Sequence, residues 1–187
     1  MDCKYEPIVL NPWYNNKGIS SIDNLNDADF TGFGSSFLSE QLPVSGSSIN
    51  IFGVPFIFPD KEKGKLDNMA CMNQEITVKK DRYLKIHVLG ASENGSFKEP
   101  IKLSGDSIYE SWLGLTDWIE TQPQFNNKKA LTCNGLNSNR SGLTKSVSTN
   151  IWYAKIEIDE TGIYDKVLFV DNPSMHIFCL TFEKELP

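Results

Sequence analysis

The 187-residue chain is 40% hydrophobic and 22% charged, enough apolar material for one sizeable core without disulfide or metal staples, so a single domain over residues 1–187 is expected. Its 24 acidic and 18 basic residues leave a net charge of −6, which argues against nucleic acid or an anionic membrane surface as partner, since both need clustered Lys and Arg. No apolar run approaches the ~20 residues of a membrane span, and Met1–Glu6 lacks the order of a signal peptide, so the chain is expected to be cytoplasmic unless it is excised from a larger secreted protein.

Short β-rich runs separated by Gly, Pro, Asn and Asp follow one another along the chain, and no strong run carries a long helical period. Ser48–Ile51 and Val54–Phe58 flank Phe52-Gly53 and read as a hairpin, with Gly53 free to take positive φ. Tyr83–Leu89 alternates, placing Leu84, Ile86 and Val88 on one face and Tyr83, Lys85 and His87 on the other, with His87 toward solvent. Between Ile108 and Ile119 the apolar spacing fits either a helix or a strand. Gly105 and Gly114 disfavour a long helix, so a strand ending near Gly114 is expected. Asn150–Ile158 sends Trp152, Ala154, Ile156 and Ile158 inward and Tyr153, Lys155 and Glu157 outward. Lys166–Val170 and His176–Phe182 complete the set across the turn signal Asp171-Asn172-Pro173-Ser174. His176 shares a side with Phe178, Leu180 and Phe182, the setting of a satisfied core histidine.

The expected fold is therefore all-β, a two-sheet antiparallel sandwich or jelly roll with Trp152, Ile156, Leu84, Ile86 and Phe56 in its core. The long irregular stretches Asn15–Phe37 and Gln122–Ser148 are the natural carriers of a site. Cys3, Cys71, Cys133 and Cys179 are scattered and accompanied by only two histidines, His87 and His176. That pattern argues against a Cys/His zinc site, and the cysteines read as structural.

Several blocks recur in order: Tyr14-Asn15-Asn16-Lys17-Gly18-Ile19-Ser20, Asp29-Phe30-Thr31-Gly32-Phe33-Gly34-Ser35, Gly53-Val54-Pro55-Phe56, Leu89-Gly90-Ala91-Ser92-Glu93-Asn94-Gly95, Thr116-Asp117-Trp118 and Arg140-Ser141-Gly142. Together, from about Trp13 to Phe182, they resemble the galactose-binding-like β-sandwich domains that accompany many bacterial glycoside hydrolases. The chain departs from that pattern at Phe52-Gly53 in the hairpin and at Thr31 in the Gly-rich block. The resemblance implies a carbohydrate-binding module, with a saccharide or glycosylated small molecule as ligand.

Sugar recognition needs flat apolar surface for the C–H face of a ring and polar side chains for its hydroxyls. Candidate platforms are Trp13, Tyr14, Phe33, Trp112, Trp118 and Tyr153, of which roughly one or two should be exposed, because aromatic residues in a sandwich are mostly core. Candidate polar partners are Asn15, Asn16, Asp29, Asn94, Asp117 and Arg140. Asn15, Asn16 and Gly18 also read as turn formers, and Asp29 as an acceptor for the amides of the Gly32–Gly34 turn. Asp23, Asp27 and Asp29 could hold a structural calcium, although their spacing matches no calcium loop; no other cofactor is expected. An alternative class is a stand-alone enzyme, a cyclase or isomerase of specialised metabolism, with Asp117 beside Trp118 as the acid. Free sandwich edges leave a homo-oligomer open as a third reading.

Overall fold

The computed structural model describes residues 3–158 and 162–185. Its strands in chain order are β1 (Cys3–Ile8), β2 (Ile19–Ser20), β3 (Ser35–Leu38), β4 (Ser48–Ile51), β5 (Val54–Ile57), β6 (Met69–Cys71), β7 (Glu75–Asp81) and β8 (Lys85–Ser92). They continue with β9 (Phe97–Gly105), β10 (Ile108–Leu115), β11 (Lys128–Cys133), β12 (Leu136–Ser138), β13 (Gly142–Thr144), β14 (Thr149–Glu157), β15 (Tyr164–Phe169) and β16 (Asn172–Glu185). The only helical elements among the described residues are three single 3-10 turns. None is long and apolar enough to cross a membrane.

The chain is an all-β sandwich. One sheet has the order β1-β16-β8-β14-β11 with β6 also on β16, and the other β10-β9-β15-β7. Every pairing within both is antiparallel. Between them lies a core to which the larger sheet sends Ile86, Val88, Ile156, Leu180 and Phe182 and the smaller Ile76, Ile101, Leu103, Leu113 and Phe169. The other face of the larger sheet is also covered. A small sheet, β13-β12-β3-β2, and the β4–β5 hairpin lie over it. Phe37, Leu38, Val54 and Phe56 from these layers join Leu89, Ala91, Ile151, Trp152 and Phe178 in a second core.

Covering both faces changes the fate of the residues that alternation sends outward. The expected solvent-facing positions of His87 and Tyr153 are corrected: both are buried in the second layer. Tyr83 is also buried, against Phe182, at 4.5 Å between ring centroids. Leu84, expected in the core, is only half-buried, because Tyr83 precedes the strand and the period-two pattern starts at Lys85. Lys155 and Glu157 are exposed as expected, and Trp152, Ile156, Ile86 and Phe56 are buried.

The hairpin forms with the expected register, Ile51 opposite Val54. The ambiguous stretch from Ile108 is a strand that ends one residue beyond Gly114. The turn signal at Asp171–Ser174 is corrected: β16 already begins at Asn172, and its pairing with β6 is irregular between Asn172 and His176. A further bulge between Ile177 and Cys179 shifts the side-chain parity. His176 and Phe178 therefore face Phe30 in the second layer while Leu180 and Phe182 enter the first core, so the four residues do not share a side. The two stretches read as irregular carry β2 and β3, and β11, β12 and β13.

Candidate functional site

At the margin of the sandwich, β10 is the outer strand of its sheet. Facing it, β14 pairs with β11 only up to Tyr153, opposite Lys128, so residues 154–157 have no strand on that side among the described residues. Two strand edges thus meet without pairing. The loop between them is fixed by two buried residues, Thr116 and Asn127. Asn127 Oδ1 accepts from the amide and the hydroxyl of Thr116, at 2.9 and 2.7 Å, and its Nδ2 donates to the Gly114 carbonyl at 3.0 Å. The Gln124 amide donates to the Thr116 hydroxyl at 2.8 Å.

This clamp presses Phe125 onto β10. A side chain at position 114 would place its Cβ 2.4 Å from that of Phe125, so Gly114 is the residue that lets the ring approach. Phe125 and Asn126 both lie in the left-handed region, with φ of 53° and 62°. Each such non-glycine residue costs roughly 1 to 2 kcal/mol, a strain that persists only where the surroundings enforce it. Phe125 is 39% exposed and Trp112, on the same strand margin, 57%. Together with Lys98, Asn126, Lys155 and the Ala154–Ile156 edge they line a cleft of about 240 Å³. The Lys98 ammonium lies 5.7 Å from the centre of the Trp112 ring. Lys155 is paired with Glu157 at 2.6 Å. Chemically, the cleft offers two aromatic surfaces, an amide, two cations and backbone edge groups.

The residues singled out from sequence are not gathered in one place. Trp112 alone lines this cleft. Of the six proposed platforms, Trp112 and Phe33 are exposed. Trp13 is half-buried, donating from Nε1 to the Glu75 carbonyl at 2.9 Å. Tyr14 is buried, its hydroxyl donating to the Phe178 carbonyl at 2.6 Å. Trp118 is buried against Phe30 and Phe37, at 5.0 Å from each ring. These three are framework. Phe33 and Arg140 sit on neighbouring exposed turns, joined where the Asn139 amide donates to the Gly34 carbonyl at 2.9 Å.

Asn15 bridges to the backbone of Ala70 in both directions, at 2.8 and 3.0 Å. Asn16 accepts from Asn68 at 2.9 Å. Asn68, in turn, accepts from Nδ1 of His176 at 2.7 Å, because its amide nitrogen is committed to Asn16 and Asp67. His176 is neutral, its pKa pushed down to about 3 by burial. Asp67 ties this layer down, accepting from Lys17 and from the Gly18 and Ile19 amides at 2.8 to 3.1 Å. The turn-forming reading of Asn15 and Asn16 thus understates them: they stitch loops to β6.

The three calcium candidates do not converge, and no three His, Cys, Asp or Glu side chains among the described residues are placed to hold a metal. Asp27 faces Lys17 and the Gly64 amide, at 3.9 and 3.0 Å. Asp29 accepts from the Thr31 and Gly34 amides, at 3.2 and 2.8 Å. Asp23 is exposed.

Asp117 lies at the end of β8, bridged to Ser92. Its carboxylate accepts from the amides of Gly95 and Ile119 at 2.6 and 3.0 Å. Burial raises its pKa against those two hydrogen bonds. Nearby Glu93 is raised too, by burial and by the charges of Asp117 and Asp29, while the Ser174 hydroxyl donates to it at 2.9 Å. Exposed Asn94, left-handed at φ 58°, donates its amide to Glu93. Asp117 and its neighbour Trp118 do not form an open aromatic pocket: Trp118 is buried in the second core, whereas Trp112 is on the open margin.

Phe125, Asn126, Asn127, Lys98 and Lys155 were not singled out as site residues. The available signal was a Phe-Asn-Asn run inside a long polar loop, following a strand that ends on Gly-Leu. No curated protein matches this chain. A sequence model described as the AziU2-like beta-sandwich domain matches residues 4–186, which runs from β1 to β16, and the chain belongs to that AziU2-like β-sandwich domain family.

Proposed function

We propose that this chain binds a saccharide or a glycosylated small molecule without turning it over, holding one ring between Trp112 and Phe125. One observation carries the reading: two exposed aromatic side chains line one cleft, and one of them, Phe125, sits on a backbone held in the left-handed region. Apolar rings held out to water, flanked by a few polar groups, are the composition of a ligand site. At about 240 Å³ the cleft is smaller than the ~300 to 1,000 Å³ of drug-sized sites and suits a single ring. The resemblance to galactose-binding-like modules supports the same ligand class.

The test is calorimetric titration against a panel of neutral and charged oligosaccharides. Binding in the ~μM to mM range is expected, weakened at least about tenfold by Trp112→Ala. Gly114→Ala should weaken it as well, by displacing Phe125 rather than by removing a contact. No binding across the panel overturns the proposal.

A second reading, acid catalysis on a small molecule, is favoured by the buried Glu93 and Asp117 carboxyls, both shifted toward their protonated forms. In that case Asp117→Asn abolishes conversion of the substrate and leaves its affinity broadly intact. A product that persists in the variant removes Asp117 as the acid.

A further inference from the structure

We infer that the Trp112–Phe125 cleft selects a ring ligand that carries an anion, a carboxylated or sulfated sugar, over its neutral counterpart. The inference rests on the binding reading above and adds the charge of the ligand to it. In a chain with a net charge of −6, every ionisable side chain lining this cleft is a cation: Lys98 and Lys155, with no Asp or Glu among the lining residues. The two ammonium groups come from different sheets. Lys98 is carried by β9 opposite Gly114, and Lys155 by the stretch of β14 that pairs with β8 but not with β11, so they approach the cleft from two sides. Lys98 rests over the Trp112 ring, which orients the ammonium without neutralising it.

Lys155 is ion-paired with Glu157. Both partners are largely exposed, 45% and 62%, and such a pair exchanges readily for a better anion. A ring stacked on Trp112 with its carboxylate or sulfate between the lysines gains charge-assisted hydrogen bonds, which are shorter and stronger than those to a neutral hydroxyl. Asn126 remains for the ring hydroxyls.

The experiment compares a galacturonic acid tetrasaccharide, the galactose tetrasaccharide and a sulfated galactose tetrasaccharide by titration at low and high salt. Expected is at least about tenfold tighter binding of a charged probe than of the neutral one, the gap narrowing as salt screens the lysines. Lys98→Gln and Lys155→Gln, whose folding is checked by thermal melting, should each bring the charged probe toward the neutral value, with a smaller effect on the neutral probe than on the charged one. Glu157→Gln should tighten the charged probe alone, by releasing Lys155. The sulfate and carboxylate arms identify which anion is taken, and a gain for either supports the inference. Equal affinity for neutral and charged probes overturns it and leaves the saccharide reading standing. If none of the three binds, the saccharide reading fails and the inference falls with it.

Discussion

On the larger sheet, His87 of β8 sits between Tyr153 of β14 and Glu183 of β16, at 2.7 and 2.8 Å. Glu183 also meets the Lys85 ammonium at 2.6 Å. A carboxylate can only accept, so Nε2 of His87 donates to Glu183 and the Tyr153 hydroxyl donates to Nδ1. All three side chains are buried, and Phe52 at the hairpin tip closes over Tyr153, 5.3 Å between ring centroids. At the β10–β14 margin the arrangement is reversed. There apolar rings face water, lysines flank them, and the backbone is strained to hold the loop in place. The buried network resembles a catalytic relay in its residue types, yet it is sealed, and each hydrogen bond ties one strand to the next. The open margin contains no such relay but keeps surface that folding alone would have covered. In this fold, a polar cluster whose members satisfy one another is architecture, and an apolar surface left unsatisfied marks the place for a ligand.

The largest expected effect tests the closed region. Trp152→Ala should destabilise by about 3 to 5 kcal/mol, because the indole is fully buried and also donates to the Asp117 carbonyl at 3.0 Å. A loss below about 1 kcal/mol in denaturant titration would mean that the second core is not packed as described.

Next in size is a pH effect from the same layer. His176 has its folded pKa lowered to about 3 by burial, against about 6.5 in an unfolded chain. Above pH 6.5 both states are neutral and the contribution is fully present. Below it the unfolded state takes a proton that the folded state refuses, so stability falls by roughly 1.4 kcal/mol per pH unit, or about 2 kcal/mol between pH 6.5 and 5. His87, also lowered by burial, adds in the same direction. Glu93 and Asp117, whose values are raised, act oppositely as pH falls through their own range. Comparing slopes rather than levels isolates His176: stability measured in His176→Gln should lose most of the decline over that window, and an unchanged slope removes His176 as its source.

Much of this contrast was legible in the sequence, and its limits are physical. Alternation located β4, β5, β8 and β14 and most of β16, and the ordered Gly, Asn and Asp blocks pointed to a sandwich. It could not tell a strand with one covered face from a strand with two, since His87 and Tyr153 are polar-tipped residues that suit either surface. Nor does periodicity register the bulge after Ile177, which turns Leu180 and Phe182 away from Phe178. β9 was missed because Lys98, Glu99, Pro100 and Lys102 break up its apolar run. At the cleft, Trp112 was found because a Trp on a strand is conspicuous. Phe125 was not, because its exposure depends on contacts distant in sequence: Thr116, Asn127 and the bare Gly114.

A smaller effect probes the seal itself. Tyr153→Phe keeps the ring under Phe52 and removes only the hydroxyl that serves His87. Leaving Nδ1 without its donor inside the protein should cost roughly 1 to 2 kcal/mol, measured by chemical denaturation. If the change is neutral, water reaches His87 and the region is not closed.

The smallest expected effect on stability carries the most weight for function. Trp112 is more than half exposed on an outer strand, and its one ring contact of note is the Lys98 ammonium above it. Its replacement by Ala leaves no enclosed cavity, since solvent already reaches most of the ring, and should change unfolding free energy by no more than about 0.5 kcal/mol. Saccharide binding should nevertheless be lost, because the flat surface that pays no part in folding is the surface the ligand needs. The same lesion in Trp152 would remove binding only by unfolding the protein. Measured side by side, the pair separates the two regions: Trp112→Ala must fail in titration while melting at the wild-type temperature. If instead Trp112→Ala lowers the melting temperature as far as Trp152→Ala does, Trp112 belongs to the framework and the open margin is not a site.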